Sequence, residues 1–310
     1  MKSKEDFMDY LHRQVEFKRS LGKIRTATAY NDLWARLDEF LHGKELPFGD
    51  ITSDKVQQFE AWLQARGNRP NTTSYYVRAM RAVFNKAVEE GLSHPPKMNP
   101  FRKVFTGNEK TVKRAIPVAK VREIAHLDFR DFHELSKSER EVMEYARDMF
   151  MFSFYTRGMS PIDIAKLRKD SLRDGVLTYY RSKTRQRLSV KWEKCMEEIR
   201  RRHSAPDGSP YMLDFSSGEG EEFHRIYLNR ICRVNAALHR IGELAGCGGI
   251  LTMYVARHSW ASACKNSNIP LSVISEGMGH TDEETTRIYL AQLDTSIVDK
   301  ANMKIIGQIL

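Results

Sequence analysis

Residues 94–117 read HPPKMNPFRKVFTGNEKTVKRAIP, and this stretch constrains the fold more than any other. It carries four prolines and no helical period, so no regular element runs through it. A chain of 310 residues interrupted here has to build two cores, one on each side.

The segment before the break predicts four helices. KEDFMDYLHRQVEFKRSLG is amphipathic and stops at Gly22, and TATAYNDLWARLDEFLHGK spaces Tyr30, Leu33, Leu37 and Phe40 one turn apart. SDKVQQFEAWLQARG opens on Ser53 as a cap, puts Val56, Phe59, Trp62 and Leu63 on one face and closes at Gly67. NTTSYYVRAMRAVFNKAVEEG buries Tyr76, Met80, Val83 and Ala87 and ends at Gly91. Its Arg78, Arg81 and Lys86 fit either a solvated helix face or a surface turned to an anionic partner.

Domain boundaries follow: a helical domain over 1–100, a basic linker over 101–116, and a larger domain over 117–310. The linker carries Arg102, Lys103, Lys110, Lys113 and Arg114 against the single acid Glu109, a composition suited to a tether or to a path along phosphates. Past it, helices are predicted at 118–126, 137–155, 160–168, 191–202 and 221–245. GVLTYYRSKTRQRLSVKW reads as a hairpin. The fold class is therefore mainly α with a small antiparallel β-sheet (α+β).

Charge narrows the partner. A formal net charge of +10 suits a polyanion such as nucleic acid. There is no apolar run of membrane-spanning length and no secretory h-region at the start, so a cytoplasmic protein is expected. Cys195, Cys232, Cys247 and Cys264 lack metal-ligand spacing and are read as reduced, mostly packed thiols.

Four stretches of the second domain hold polar groups able to converge: FSFYTRGMSPIDIAKL with Arg157, the turn RSKTRQR with Arg181, Lys183, Arg185 and Arg187, LTMYVARHSWASA with Tyr254, Arg257 and His258, and EGMGHTDEETTRIYL with His280 and Tyr289. Each has a plain structural reading, such as an ion pair between Arg157 and Asp163. Thr281 and Glu284 read as a capping box opening the last helix.

The order of these boxes resembles the tyrosine recombinase (phage integrase) family. YVARHSWAS is similar to its H-x-x-R box and GMGHTDEETTRIYL to its LGH…Y box. The helical part before the linker is similar to the family's SAM-like core-binding domain. The forms RGMSxxD and YVARHS resemble a branch common in Bacteroidetes-group bacteria and their mobile elements.

The resemblance implies a site-specific DNA recombinase acting in integration, excision or inversion, as a homotetramer on two paired double-stranded sites, at the nucleoid. Tyr289 would be the nucleophile that leaves a 3′-phosphotyrosine and a free 5′-hydroxyl, conserving the bond energy so that no ATP is needed. Arg257 would stabilise charge on the phosphate, His280 would donate to an oxygen of the same phosphate, and Lys183 would protonate the leaving oxygen. No metal and no cofactor are called for. Arg78, Arg81, Lys86, Arg102, Lys103, Lys113, Arg114, Arg181 and Arg185 are the expected DNA contacts. A topoisomerase-like nicking and rejoining enzyme, or a DNA-binding protein without catalysis, are the alternatives.

Two positions depart from the family pattern. Tyr254 stands where the family has histidine, and tyrosine donates a hydrogen bond but does not take up a proton near neutral pH. The first arginine, normally three residues before an acid, is replaced by Ser160 ahead of Asp163. Arg157, one turn earlier, is the expected substitute, with Arg181 of the hairpin as the alternative.

Overall fold

The structure, a computed structural model, describes residues 6–93, 98–109, 115–248, 251–280 and 282–287, with Met303 and Ile306. The chain divides into two compact units, Met1–Thr111 and Val112–Leu310.

The first unit is built from α1 (Phe7–Ser20), α2 (Ile24–Leu41), α3 (Ser53–Ala65) and α4 (Pro70–Glu89). Asp6 caps α1 by accepting the Asp9 N–H at 2.8 Å, and its other oxygen accepts the Leu46 N–H at 2.8 Å. One buried carboxylate therefore fixes both the helix start and the loop beyond α2. The cap of α3 is Thr52, accepting from Lys55 N–H, and not the expected Ser53. Pro70 opens α4, where its missing N–H costs nothing. Leu33, Leu37, Val56, Phe59, Leu63, Met80, Val83 and Ala87 form the core as the periodicity requires. Tyr30, Phe40, Trp62 and Tyr76 lie at its half-buried rim, and Val77 and Phe84 complete the interior.

Over residues 101–109, the expected linker packs on the first unit, and 110–114 lie outside the described residues. Phe101 and Val104 are buried in the core of the first unit. The Phe105 N–H donates to Glu60 Oε1 at 2.9 Å, and Ser74 Oγ donates to the Gly107 carbonyl at 2.7 Å. Asn71 and Glu109 exchange a pair of bonds at 3.0 and 2.7 Å. Two buried apolar side chains contribute roughly 1.5–3 kcal/mol each, enough to hold an otherwise polar strand as a strap on the helices.

The second unit contains α5 (Val118–Ala125), α6 (Lys137–Tyr155), α7 (Pro161–Ala165), β1 (Leu172–Arg173), β2 (Val176–Tyr180), β3 (Arg187–Lys191), α8 (Lys194–Arg202), α9 (Gly220–Leu244), α10 (Met253–Asn266), α11 (Leu271–Met278) and α12 (Glu283–Arg287). α6 opens on a full capping box between Ser136 and Glu139. Its middle carries the fully buried Met149, Phe150 and Phe152, and it packs on α8, α9 and α10. α7 is shorter than the expected 160–168. Beyond it the Leu167 carbonyl accepts the Met212 N–H at 2.7 Å and Lys169 N–H reaches the Pro210 carbonyl at 3.0 Å, so pairing with a distant extended segment replaces the helix.

The hairpin gains a third strand. The sheet order is β1-β2-β3, antiparallel throughout, with Leu172 opposite Leu177 and Tyr180 opposite Arg187. Leu177, Tyr179, Leu188 and Val190 point into the core, while Val176 and Tyr180 face solvent, the alternation expected of a sheet with one wet face. No helix among the described residues is long and apolar enough to cross a membrane. Cys195, Cys247 and Cys264 are half-buried, and Cys232 is exposed.

Candidate active site

Two left-handed turns shape the site. The first follows α6, where Arg157 (φ 62°) and Gly158 (φ 73°) reverse the chain in succession. The second closes α11 at Gly279 (φ 64°), with the Gly279 N–H bonded to Glu276 O at 2.9 Å and the His280 N–H to Ser275 O at 3.0 Å. Both turns leave carbonyl groups aimed at buried arginines.

Arg257, on α10, is 3% exposed. Its Nη1 donates to the Gly158 carbonyl at 2.7 Å and its Nη2 to the Met278 carbonyl at 2.7 Å and to His280 Nε2 at 2.9 Å. The guanidinium thus ties together the end of α6, the end of α11 and His280. His280 is buried as well, and its Nδ1 lies 2.7 Å from the hydroxyl of the fully buried Thr286 on α12. Burial, then the neighbouring Arg257 and Arg181 charges, push the His280 imidazole down to a pKa of about 4. It is therefore neutral at pH 7. Guanidinium nitrogens only donate, so in this state His280 Nε2 accepts from Arg257.

The hairpin joins the same turn. Arg181, 5% exposed, donates through Nη1 to the Gly279 carbonyl at 2.6 Å, and Thr184 Oγ1 approaches that carbonyl at 3.5 Å. Arg181 Nε is buried with no acceptor among the described residues. A buried donor left without an acceptor costs about 1–3 kcal/mol, and an anion arriving at the site would recover it. Lys183 sits exposed in the hairpin turn, close enough for its charge to act on His280. Arg185, also exposed, takes a left-handed conformation (φ 60°) that closes the turn.

Asp163 braces the hairpin instead of pairing with Arg157. Its Oδ2 accepts from Ser160 Oγ at 2.6 Å and its Oδ1 from the Ser182 N–H at 2.8 Å. Tyr179 is buried beside this carboxylate, and burial, with the Asp163 charge second, raises its pKa. Arg157 is half-buried, and its side chain has no hydrogen bond or ion pair to a described residue; it runs along Gly277, and its charge acts on Cys264. Of the two candidates for the first-arginine role, Arg181 holds the Gly279 carbonyl and places its charge beside His280. Tyr254 is 46% exposed on α10, its ring edge-on to His258 at 5.5 Å, so it is not buried with Arg257.

The expected cap of the last helix is also different. Asp282 Oδ1 accepts the Thr285 N–H at 2.8 Å and Oδ2 accepts Thr285 Oγ1 at 2.9 Å, the geometry of an N-cap at Asp282. Thr281 lies outside the described residues, as do Tyr289, Lys113 and Arg114.

The remaining basic residues divide. Lys86 donates to Gln14 Oε1 at 2.6 Å, lies 3.6 Å from Glu90 and sits over the Phe17 ring, so it serves its own domain. Arg81 reaches Thr106 Oγ1 of the strap at 3.3 Å. Arg78 is half-buried, while Arg102 and Lys103 are exposed on the strap. Sequence reasoning missed Gly158, Gly279, Asp163 as a brace, and Thr286. Only the glycines carried a signal, as punctuation after helical runs.

Both units of the chain are similar to known proteins. A family model described as "Phage integrase family" matches residues 127–296, and one described as "Phage integrase SAM-like domain" matches 6–104. A tyrosine recombinase XerD from Pseudomonas putida is 24% identical over 276 residues, covering 85% of this chain and 85% of the relative. The integrase of transposon Tn1549, solved with a circular intermediate DNA, superposes with a TM-score of 0.66 at 14% identity, covering 96% of this chain and 99% of that one. The XerH site-specific recombinase on its palindromic difH substrate gives 0.65 at 14% identity, covering 100% and 98%.

Proposed function

Because this chain belongs to the phage integrase family, we propose that it is a site-specific recombinase that cuts and rejoins DNA strands through Tyr289. One observation supports this reading above the others: Arg257 and Arg181, both buried, grip the successive carbonyls of Met278 and Gly279 immediately before His280. Two permanently charged groups converging on one turn suit the charge that grows on the non-bridging oxygens of a phosphate under in-line attack.

In the proposed reaction the Tyr289 hydroxyl gives up its proton to solvent, its oxygen bonds to phosphorus and the bond to the 5′-oxygen breaks. Lys183, exposed on its hairpin, delivers the proton that the leaving oxygen needs. Arg257 and Arg181 hold the phosphate, with Arg181 preferred to Arg157. His280 fixes the Arg257 fork. No step is assigned to a metal ion or to ATP. Exchange between two sites requires two cleavages on each duplex, so four copies of the chain assemble, and the work takes place in the cytoplasm on nucleoid DNA. Arg78, Arg102, Lys103, Lys113, Arg114 and Arg185 supply contacts to flanking phosphates.

Sheared and randomly nicked genomic DNA of the source organism tests the proposal. A nick just 3′ of the scissile position lets the short fragment bearing the new 5′-hydroxyl diffuse away and traps the adduct. Capture under denaturing conditions should recover protein-linked duplexes sharing an inverted repeat, and Tyr289→Phe should recover none. Equal recovery by the Phe variant would remove Tyr289 from the role. Recombination of a plasmid carrying two recovered sites separates site pairing from simple nicking and rejoining.

A further inference from the structure

Thr286 stands outside every role assigned above, yet it is fully buried and its hydroxyl lies 2.7 Å from His280 Nδ1. The opposite ring nitrogen, Nε2, is 2.9 Å from Arg257 Nη2. A guanidinium has no lone pair to offer, so Nε2 must accept. In a neutral imidazole the proton then resides on Nδ1, and Thr286 Oγ1 is its acceptor. Chemistry at one nitrogen thus defines the state of the other.

We propose that Thr286 is a positioning residue that fixes His280 in its Nδ1–H tautomer, so that the Nε2 lone pair is held for the Arg257 fork. The inference rests on the recombinase reading for its consequence in catalysis, but its structural half stands alone. A hydroxyl is suited to the task because it accepts from Nδ1–H without adding a charge. A carboxylate in the same place would stabilise imidazolium and draw a proton onto the ring. With Thr286 the ring stays neutral, so it adds no further positive charge beside Arg257 and Arg181, and it holds the Arg257 fork as a lone-pair donor. Thr286 also lies on α12, three residues before Tyr289 in the sequence. The contact that sets the tautomer therefore also ties the segment leading to the nucleophile onto the site.

Three variants of the full chain separate this role from plain packing. Thr286→Val keeps the shape and removes the acceptor, Thr286→Ser keeps the acceptor and removes a methyl group, and Thr286→Ala serves if the Val variant does not fold. Imidazole nitrogen NMR on the DNA-free protein reads the tautomer, with the His280 signals assigned by their loss in His280→Gln. The wild type and Thr286→Ser should show the proton on Nδ1, and Thr286→Val should lose that signature. Adduct formation on the nicked genomic DNA should fall about 10- to 100-fold in Thr286→Val, the scale seen when the outer partner of a metal-bound histidine is removed, and stay within about threefold in Thr286→Ser. A wild-type protein carrying the proton on Nε2 overturns the proposal without reference to any variant. So does a Val variant that keeps the wild-type tautomer, or one that cleaves at the wild-type rate. If the wild type forms no adduct at all, the recombinase reading fails, and the NMR result still decides the role of Thr286.

Discussion

Gly158 and Arg257 are in contact through their backbones as well as through a hydrogen bond. A Cβ added at Gly158 would stand 2.7 Å from Arg257 Cα, while the Gly158 carbonyl accepts Arg257 Nη1 at 2.7 Å. The residue that anchors the guanidinium is thus also the one whose missing side chain lets α10 approach. Its φ of 73° adds a second reason for glycine.

Gly158→Ala is expected to destabilise the fold by about 2–4 kcal/mol, combining left-handed strain with a clash against backbone that has no flexible end to move aside. Chemical denaturation measures it, and adduct formation should fall at least tenfold under conditions where the variant is folded. A change below about 1 kcal/mol would mean that α10 shifts freely.

Arg181→Ala is expected to cost more cleavage than Arg157→Ala, reversing the order that sequence spacing suggests. Removal of one preorganised donor to a reacting centre costs about 10²–10³-fold; Arg181 should show that loss and Arg157 should stay within about tenfold. Single-turnover cleavage of a recovered site compares them directly, and the opposite ranking would return the role to Arg157.

Arg257→Lys is expected to be nearly as damaging as Arg257→Ala. The arginine bridges Gly158, Met278 and His280 with separate N–H groups, and a lysine's single nitrogen cannot span all three. Adduct yield within threefold of wild type in the Lys variant would argue against a forked contact.

Acid should act through His280. Its folded-state pKa of about 4 lies below the ordinary value of 6.5, so the unfolded chain binds a proton first as pH falls. The associated stability is fully present above about pH 6.5 and is lost as pH drops towards 4. With solvent screening discounted, the loss should be roughly 2 kcal/mol. His280→Gln should flatten the stability profile between pH 6.5 and 4 relative to wild type, and parallel profiles would show that the imidazole does not titrate this way.

Much of this molecule was legible in its sequence, and the parts that were not share a cause. Helical periodicity with glycine stops located α1 to α4 within a few residues, and α6 matched its predicted span of 137–155. Of the four stretches able to converge, the structure joins the Gly158 carbonyl of the first, Arg181 of the second, Arg257 of the third and His280 of the fourth. Hidden were the features made by distant backbone: the pairing of Leu167 with Met212 that shortens α7, and the carbonyls of Gly158, Met278 and Gly279 that orient the arginines. The strap over 101–109 looked like a tether because two apolar anchors, Phe101 and Val104, were outnumbered by prolines and charges. Arg157 stands one helical turn ahead of Ser160 in the sequence, but the left-handed turn at 157 and 158 takes it off the helix on which that spacing depends.

The arginines of the site are oriented largely by main-chain carbonyl groups, and that choice sets what mutation can and cannot erase. A carbonyl is present whatever side chain its residue carries, so Met278 can be exchanged for another residue of similar volume without removing the acceptor. Vulnerability moves instead to conformation, to the two left-handed turns that aim those oxygens. An engineer wishing to retarget the protein therefore has latitude in the side chains around the clamp and almost none at Gly158 and Gly279, where an added Cβ would meet Arg257 in one case and Leu188 and Arg181 in the other.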